Sequence, residues 1–332
     1  MRALVTGGSG FIGGHIVNTL LQKGVDVRVL VRPTSNTSTF KECDVEVLCG
    51  DITEPASLRE AVHGVDLLFH VAADYRLWVP DPQRMHATNV EGTVQVLRAA
   101  SDAGVSRMIY TSSVVTVRGS RETPGTEADF MVLEKCRSTY QRTKVLAEKA
   151  VWELIAKGMP ITIVNPSTPI GAGDRRPTPT GRLIVDYLTG RLPAFLDMDL
   201  NWVSVEDVAA GHWLAAKEGR IGERYILGHA NLSLGEFFRI LADVSGQPAP
   251  KVRIPYAVAW MAALVGNLYG RITAREPQAT LDGVRMAGLP MQYNSRKAVE
   301  QLGFPQTPLP RAVAEAVEWF RKKGYTNKGG PL

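Results

Sequence analysis

A strand, a glycine-rich turn and a helix open the chain, and this order constrains the fold more than any other feature. Residues 2–6 are a short apolar run of strand-forming type, and Gly7, Gly10 and Gly13 follow at three-residue spacing where a helical pattern begins over residues 11–23. Gly7 and Gly10 would let the backbone approach a diphosphate closely, and Gly13 would let the helix pack on its strand. The segment therefore predicts a dinucleotide site at a helix N-terminus.

The pattern repeats along the first half of the chain, where apolar strand segments alternate with amphipathic helical ones. The predicted strands are residues 2–6, 25–31, 45–49, 66–72, 107–112 and 161–165, and the predicted helices between them include 57–62, 86–104 and 138–157. This alternation predicts an α/β fold with a Rossmann-type, doubly wound parallel sheet.

Prolines and glycines become frequent after Asn165, so we expect residues 1–165 to form the nucleotide-binding domain and residues 166–332 mainly a smaller, irregular substrate lobe. Some later strands should return to the first sheet. The short strands and the helices expected in the lobe are 202–205, 224–227, 183–188, 208–217, 234–245, 257–269, 295–302 and 309–324. The apolar helix 257–269 is too short to span a bilayer, and both a buried helix and a lipid-facing one remain open.

Composition narrows the class of protein. The chain has 332 residues and a net charge of +5, but its basic residues are dispersed and lack interleaved aromatic residues, which argues against a nucleic-acid partner. Cys43, Cys49 and Cys136 follow no disulfide or metal-ligand spacing, so we expect no metal and a reducing compartment. The first strand begins at Arg2 and leaves no room for a signal peptide, which predicts a cytoplasmic location.

Candidate catalytic side chains follow strands at the edge of the sheet where such folds bind ligands. Ser113 follows the fifth strand, with Ser112 as the alternative if the serine is displaced by one residue. Tyr140 and Lys144 lie one turn apart on a helix, so they share a face. A lysine ammonium beside a tyrosine would lower the pKa of the phenol, and Tyr140 could then exchange a proton with a substrate oxygen. The same spacing in Tyr293 and Lys297 is interpreted as structural.

The end of the second strand bears on the choice of cofactor. An enzyme that uses NAD usually has an acid there for the ribose hydroxyls, whereas this chain has Arg32 followed by Ser35 three residues later. A guanidinium suits a phosphate, which favours NADP(H) over NAD(H).

Several motifs resemble the extended short-chain dehydrogenase/reductase superfamily: TGGSGFIG, the TSS run, YQRTK and NPSTPIG. Within it the chain is similar to the dihydroflavonol-4-reductase-like branch. The segments FHVAADYRLWVPDP, NPSTPIGAGDRRPTPTGR and GERYILG resemble most closely its bacterial hopanoid-associated members, often labelled sugar epimerases.

The resemblance implies roles for residues that the pattern alone does not assign. It makes Ser113, Tyr140 and Lys144 the catalytic set, and it interprets Asn89 as a structural polar residue. The cofactor-binding residues that it and the glycine motif give are Gly7, Gly10, Phe11, Ile12, Gly13, Arg32, Asp51, Ile52, Ala72, Ala73, Tyr140, Lys144, Asn165 and Pro166.

Three functions remain at this point. The first is an NADP(H)-dependent oxidoreductase that interconverts a carbonyl and an alcohol on a small or lipid-linked substrate. The second is an NAD(P)-dependent sugar epimerase, and the third is a non-catalytic nucleotide sensor. The candidate substrate residues are Tyr75, Trp78, Arg176, Arg182 and Trp202.

Partners follow from the same patterns. We expect a small-molecule substrate with a hydrophobic or lipid part, peripheral contact with a membrane through the helix near Trp260, and no transmembrane segment. By analogy with relatives, helices 86–104 and 138–157 would pair two copies into a homodimer.

Overall fold

A seven-stranded parallel sheet forms the larger part of the molecule, with strand order β10-β6-β5-β4-β1-β2-β3. The computed structural model describes residues 1–41, 43–79, 81–120, 122–273, 277 and 279–327. The strands of this sheet are β1 (Arg2–Thr6), β2 (Asp26–Val31), β3 (Val45–Cys49), β4 (Leu67–His70), β5 (Arg107–Thr111), β6 (Ile161–Pro166) and β10 (Arg224–Leu227).

Helices cover both faces of this sheet, which makes it doubly wound as predicted. One face carries α1 (Phe11–Gln22) and α7 (Val205–Lys217), and their apolar residues share a core with the strands. The other face carries α2 (Pro55–Val62), α4 (Gly92–Asp102) and α5 (Thr139–Ala156).

The predicted helix 86–104 begins earlier and is not uniformly α-helical. It starts as α3 (Pro82–His86), passes through a π-helical turn at Ala87–Glu91 and continues as α4. Asp81 caps the start, because its side chain accepts from the amides of Gln83 and Arg84.

Later segments build a smaller lobe around a separate core. It contains α6 (Pro179–Leu188), α8 (Leu234–Ser245), α9 (Tyr256–Thr273), α10 (Leu281–Ala287) and α12 (Leu309–Lys322). The late helix α11 (Arg296–Leu302) instead packs on β10 and α7, in the core of the large sheet. Two small sheets complete the lobe, formed by β7 (Thr168–Ile170), β9 (Asp199–Ser204) and β11 (Ala230–Ser233), and by β8 (Ala194–Phe195) and β12 (Val252–Arg253).

The expected fold class is thus confirmed, including the smaller lobe. One later strand, β10, pairs with β6 in the large sheet, with Arg224 opposite Ile163 and Leu227 opposite Pro166. β7, β8, β11, β12 and α10 were missed, and the first four of these are only two to four residues long.

Candidate active site

The glycine turn packs so tightly that side chains do not fit. Gly7 adopts φ +75°, and a Cβ there would lie 2.7 Å from the amide nitrogen of Ala72. A Cβ on Gly13 would lie 2.2 Å from the carbonyl oxygen of Gly7. The turn, the start of α1 and the end of β4 therefore contact one another directly through backbone.

The N-terminus of α1 faces this turn and has the chemistry to bind an anion. Gly10 is the N-cap and supplies no side chain to the first amides of the helix, which include those of Phe11 and Ile12. Such amides lie at the positive end of the helix dipole and fit a diphosphate. The cradle thus suits a dinucleotide cofactor.

A buried histidine connects this cradle to the neighbourhood of Lys144. Thr6 Oγ1 lies 2.7 Å from His70 Nδ1, and His70 Nε2 lies 2.9 Å from Thr93 Oγ1. Burial, with a smaller contribution from the Lys144 charge, lowers the pKa of His70 to about 3. His70 is therefore neutral at physiological pH and links β1, β4 and α4. The sequence could have indicated this buried residue, because a polar side chain ends an otherwise apolar strand there.

Tyr140 and Ser113 are brought together at the carboxyl edge of the sheet. Ser138 caps α5 by accepting from the amide of Gln141, which places Tyr140 in the first turn of the helix. The Ser113 side chain acts on the Tyr140 phenol in the direction that favours the phenolate, but burial dominates and raises the pKa of Tyr140. Tyr140 is consequently a neutral phenol at neutral pH, ready to donate a proton.

Lys144 is almost completely buried, with 3% of its surface exposed. Its Nζ donates to the carbonyl oxygen of Thr111 at 2.8 Å and lies 5.2 Å from the centre of the Tyr110 ring. Burial lowers the pKa of Lys144 to about 8, against the opposing effect of the Glu148 carboxylate.

The expectation that Lys144 lowers the pKa of Tyr140 is wrong for this arrangement, because the pKa of Tyr140 is raised. The physical reason is that the burial of Tyr140 outweighs the effect of its polar neighbours, and that the Lys144 ammonium is directed at the strand carbonyl of Thr111.

Ser112 points away from Tyr140. Its hydroxyl donates to Glu148 Oε2, as do Thr116 Oγ1 at 2.7 Å and Asn165 Nδ2 at 2.9 Å. The other carboxylate oxygen, Oε1, is paired with Arg224 Nη1 at 2.7 Å. Ser113 is therefore the serine at the candidate site.

Sequence reasoning missed Glu148, although a signal was present. Tyr140, Lys144 and Glu148 are each four residues apart and share one face of α5, where an acid among apolar residues indicates a buried ion pair. The Glu148 network lies directly behind the loop that carries Ser113.

Asn165 belongs to the same network and is fully buried. Its Nδ2 also donates to the carbonyl oxygen of Ser113 at 3.1 Å, whereas its Oδ1 has no partner in the part of the chain that the structure describes. The side chain thus holds the Ser113 loop in place, and Oδ1 is its remaining group for a ligand. Pro166 ends β6 and is buried.

The residues predicted to bind the nucleoside part of the cofactor lie around the carboxyl ends of β2, β3 and β4. Arg32 is exposed just after β2, and its charge contributes to the lowered pKa of Asp74. Asp51 Oδ1 accepts from the amide and hydroxyl of Thr53, and Ile52 is 8% exposed in the core. Ala73 is half-buried beside Ala72.

Two predicted substrate residues share the surroundings of Tyr140. The phenol of Tyr75 contributes to the raised pKa of Tyr140, and Arg176 and Asp174 in turn influence the pKa of Tyr75. Trp78 is half-buried in the same loop as Tyr75, and Arg182 is exposed on α6.

The prediction for Trp202 is wrong. Its side chain is 0% exposed, its ring stacks on Phe237 at 3.9 Å between centres, and its Nε1 donates to the carbonyl oxygen of Leu232. It belongs to the core of the lobe and cannot line a pocket.

A cavity of about 350 Å³ lies next to α5 and the Ser113 loop. Apolar side chains form much of its wall, and three basic ones also line it. The residues concerned are Val115, Val117, Met131, Met286, Leu289, Pro290, Met291, Arg118, Lys135 and Arg137.

The contacts agree with the interpretation of Asn89, and of the Tyr293–Lys297 pair, as structural. Asn89 joins the π-helical turn to the loop at Asp74 and to Thr143 of α5. Tyr293 is 4% exposed, and Lys297 pairs with Glu223 at 2.7 Å, so this second Tyr–Lys pair has a structural explanation.

Known proteins share this fold and these motifs. The profile of the NAD dependent epimerase/dehydratase family matches residues 3–228. The chain belongs to this family. The resemblance to extended short-chain dehydrogenases/reductases is thereby confirmed, and with it the assignment as an enzyme of the oxidoreductase, epimerase and dehydratase group.

Relatives match over nearly the whole chain. A putative dihydroflavonol 4-reductase from Synechocystis sp. is 39% identical over 97% of this chain and 95% of the relative. Sterol demethylase protein B from Methylococcus capsulatus is 32% identical over 98% and 99%, respectively. The crystal structure of gox2253 has 41% identity and a TM-score of 0.88, covering 98% of this chain and 99% of the other.

Proposed function

We propose that this protein is an NADP(H)-dependent oxidoreductase that interconverts a carbonyl and an alcohol by hydride transfer, with Tyr140 as general acid/base. The observation that carries the proposal is that the Ser113 side chain lies close enough to Tyr140 to act on its phenol, with the buried amine of Lys144 one turn further along α5. The name of the Synechocystis relative supports a dihydroflavonol-reductase-like reaction.

The bound cofactor would supply or accept the hydride at the reacting carbon. Gly7, Gly10 and Gly13 would hold its diphosphate against the N-terminus of α1. Phe11 and Ile12 would contribute their backbone amides to the same diphosphate. Asp51, Ile52, Ala72 and Ala73 would border the nucleoside side, and Asn165 and Pro166 the nicotinamide side.

In the reducing direction Ser113 would bind the substrate carbonyl oxygen, and Tyr140 would donate its proton to that oxygen. The raised pKa of Tyr140 suits this role, because the phenol remains protonated until it is used. Lys144 would place a cation within reach of the phenolate that forms. Reprotonation of Tyr140 from solvent would complete the cycle.

Arg32 supports NADP(H) as the cofactor, with NAD(H) as the alternative. Its guanidinium is exposed at the end of β2 and would pair with the ribose phosphate that distinguishes NADP. Titration of the apoenzyme with NADPH and NADH, followed by fluorescence, should show tighter binding of NADPH. Arg32→Ala should remove this preference, and an unchanged preference would refute the role of Arg32.

The catalytic assignment is tested with Tyr140→Phe. Turnover of a carbonyl substrate found by screening should fall by about 10²–10⁴-fold, the usual contribution of general acid–base catalysis, with NADPH affinity retained. Full turnover in Tyr140→Phe would show that another group moves the proton.

A sugar epimerase is the second candidate, favoured by the family that the chain belongs to. An epimerase would retain its nucleotide through purification and through each cycle, whereas a reductase would exchange it with solution. Mass spectrometry of the nucleotide in purified enzyme distinguishes the two. A nucleotide sensor without turnover is the minor alternative, and a stereospecific reaction would exclude it.

The biological setting that we propose is hopanoid or other lipid or sugar metabolism, in the cytoplasm and as a homodimer. The name of the Methylococcus relative supports a polycyclic lipid as substrate. We also retain the division into a nucleotide-binding domain at residues 1–165 and a substrate lobe at 166–332, with β10 contributed by the later part.

A further inference from the structure

Helix α9, Tyr256–Thr273, turns its large apolar side chains outward. Nine of them are exposed, with fractions from 39% at Trp260 to 77% at Ile272. The exposed side chains are Tyr256, Val258, Trp260, Met261, Leu264, Val265, Leu268, Tyr269 and Ile272.

α9 packs on the rest of the protein through small residues. Ala263 and Gly270 are the buried positions among the described residues of the helix, and Ala259 and Gly266 are half-buried. At 3.6 residues per turn, the nine exposed apolar residues spread over about 220° of the helix circumference. This distribution is the reverse of the usual one, in which the large apolar side chains face the core.

The width of this arc identifies the environment that would cover it. A second protein surface contacts a helix along one side, whereas the acyl and headgroup region of a bilayer surrounds every outward-facing side chain. Tyr256, Trp260 and Tyr269 add rings of the type that is enriched at membrane–water interfaces.

The charge of the segment fits an anionic surface. Residues 250–273 contain Lys251, Arg253 and Arg271 and no acidic residue. Lys251 and Arg253 are exposed immediately before the helix, and Arg253 Nη1 is paired with Asp197 Oδ2 at 3.0 Å. Lys251 therefore carries most of the argument from charge. No helix in the described part of the chain is long and apolar enough to cross a membrane, so α9 would lie in the plane of the interface.

A single helix separates α9 from the catalytic residues. α10 packs on α9, and Asp282 of α10 accepts from the amide of Thr139, next to Tyr140, at 2.8 Å. Met286 of α10 contacts Ser138 and also lines the cavity of about 350 Å³ beside the Ser113 loop. A lipid that leaves the bilayer at α9 would therefore reach the candidate active site past α10.

We propose that α9 docks the enzyme on an anionic bilayer and that its substrate is an amphiphilic lipid carrying a carbonyl or hydroxyl group, taken directly from the membrane. The docking part of this proposal stands on α9 alone, and the substrate class rests on the function proposed above.

The experiment is flotation of the full-length protein with vesicles of phosphatidylcholine, with and without phosphatidylglycerol. The protein should float with vesicles, more so when phosphatidylglycerol is present, and added salt should weaken the binding. The triple variant Val265→Ser, Leu268→Ser, Ile272→Ser should lose about 10-fold or more of its vesicle affinity, because each side chain removes buried apolar area.

A matched control carries the same number of changes at exposed apolar positions outside α9: Val132→Ser, Ile221→Ser and Val299→Ser. It should float like wild type. NADPH binding of both variants, measured in solution, should equal that of wild type and shows that they are folded.

Wild-type protein that stays in solution with both vesicle types would overturn the docking proposal. A triple variant that floats like wild type would also overturn it. So would a wild type that binds no vesicles and is a dimer by light scattering, if the triple variant is a monomer.

The substrate class is tested with one ketolipid, in vesicles and dispersed in detergent. Wild type should reduce the ketolipid in vesicles, and this activity should depend on Tyr140. The triple variant should lose the activity in vesicles but keep it in detergent, and this result would support the substrate class. Vesicle binding without such reduction would leave docking intact and refute the substrate class, while the proposed reaction stands or falls with the Tyr140→Phe test.

Discussion

Replacing Lys144 by methionine should stabilise the protein while it abolishes catalysis. Burial lowers the pKa of Lys144 from 10.5 to about 8. A difference of 2.5 units corresponds to roughly 3 kcal/mol at about 1.4 kcal/mol per unit, and this is the penalty for keeping the ammonium charged in the folded state. Methionine has a similar length and carries no charge.

Part of this gain is lost with the hydrogen bond from Nζ to the carbonyl oxygen of Thr111, which contributes about 1 kcal/mol. The expected net effect at pH 7 is therefore an increase of about 2 kcal/mol in the free energy of unfolding of the apoenzyme.

The pH dependence provides the sharper check. Below pH 8 Lys144 is protonated in both the folded and the unfolded state, so the penalty is fully present. Between pH 8 and 10.5 the unfolded state binds more protons, and the stability of wild type rises relative to Lys144→Met. The advantage of Lys144→Met should consequently shrink as the pH rises towards 10.5 and then reverse, because the neutral amine keeps its hydrogen bond to Thr111.

Urea unfolding at several pH values, followed by fluorescence, measures this difference. Lys149→Met is the matched control, because Lys149 is exposed on the same helix and its replacement should change stability by less than about 0.5 kcal/mol. A Lys144→Met protein that is less stable than wild type at pH 7, or a difference that does not vary with pH, would refute the reasoning.

Three further predictions concern neighbouring residues. Ser113→Ala should lower kcat by about 10-fold or more with unchanged stability, because Ser113 acts on the Tyr140 phenol. Ser112→Ala should mainly reduce the melting temperature, because Ser112 donates to the buried Glu148 carboxylate; equal kinetic effects of the two variants would contradict the assignment. Glu148→Gln should lower the free energy of unfolding by about 3–5 kcal/mol in chemical unfolding, because it leaves Arg224 buried without its counter-ion. The same substitution should lower it by less in an Arg224→Met background. Gly13→Ala should abolish NADPH binding in a fluorescence titration, since its Cβ would meet the carbonyl oxygen of Gly7; retained affinity would mean that the turn can open.

The large sheet was predictable because its signals are local. β1, β3 and β10 have the predicted bounds, since each is a short apolar run between turn residues. The four-residue spacing on α5 likewise located Tyr140 and Lys144 before any contact was known.

The errors arise where burial or distant contacts decide the outcome. Trp202 follows a loop-rich stretch and resembled a pocket residue, but its partner Phe237 comes from a helix more than thirty residues later. The direction of the Tyr140 pKa depends on how far the phenol is removed from water, which spacing does not report. The Glu148 pair needs Arg224, a residue on a strand that the chain forms much later.

The return of β10 to the large sheet has a consequence for how the protein is made. During synthesis β6 emerges with one edge unpaired, and it stays so until residues 167–223 have followed and β10 can dock on it. The large sheet therefore cannot be completed on the ribosome until the chain has emerged as far as Leu227. A nascent chain stalled just after β6 should expose that edge to chaperones, and one stalled well past Leu227 should not.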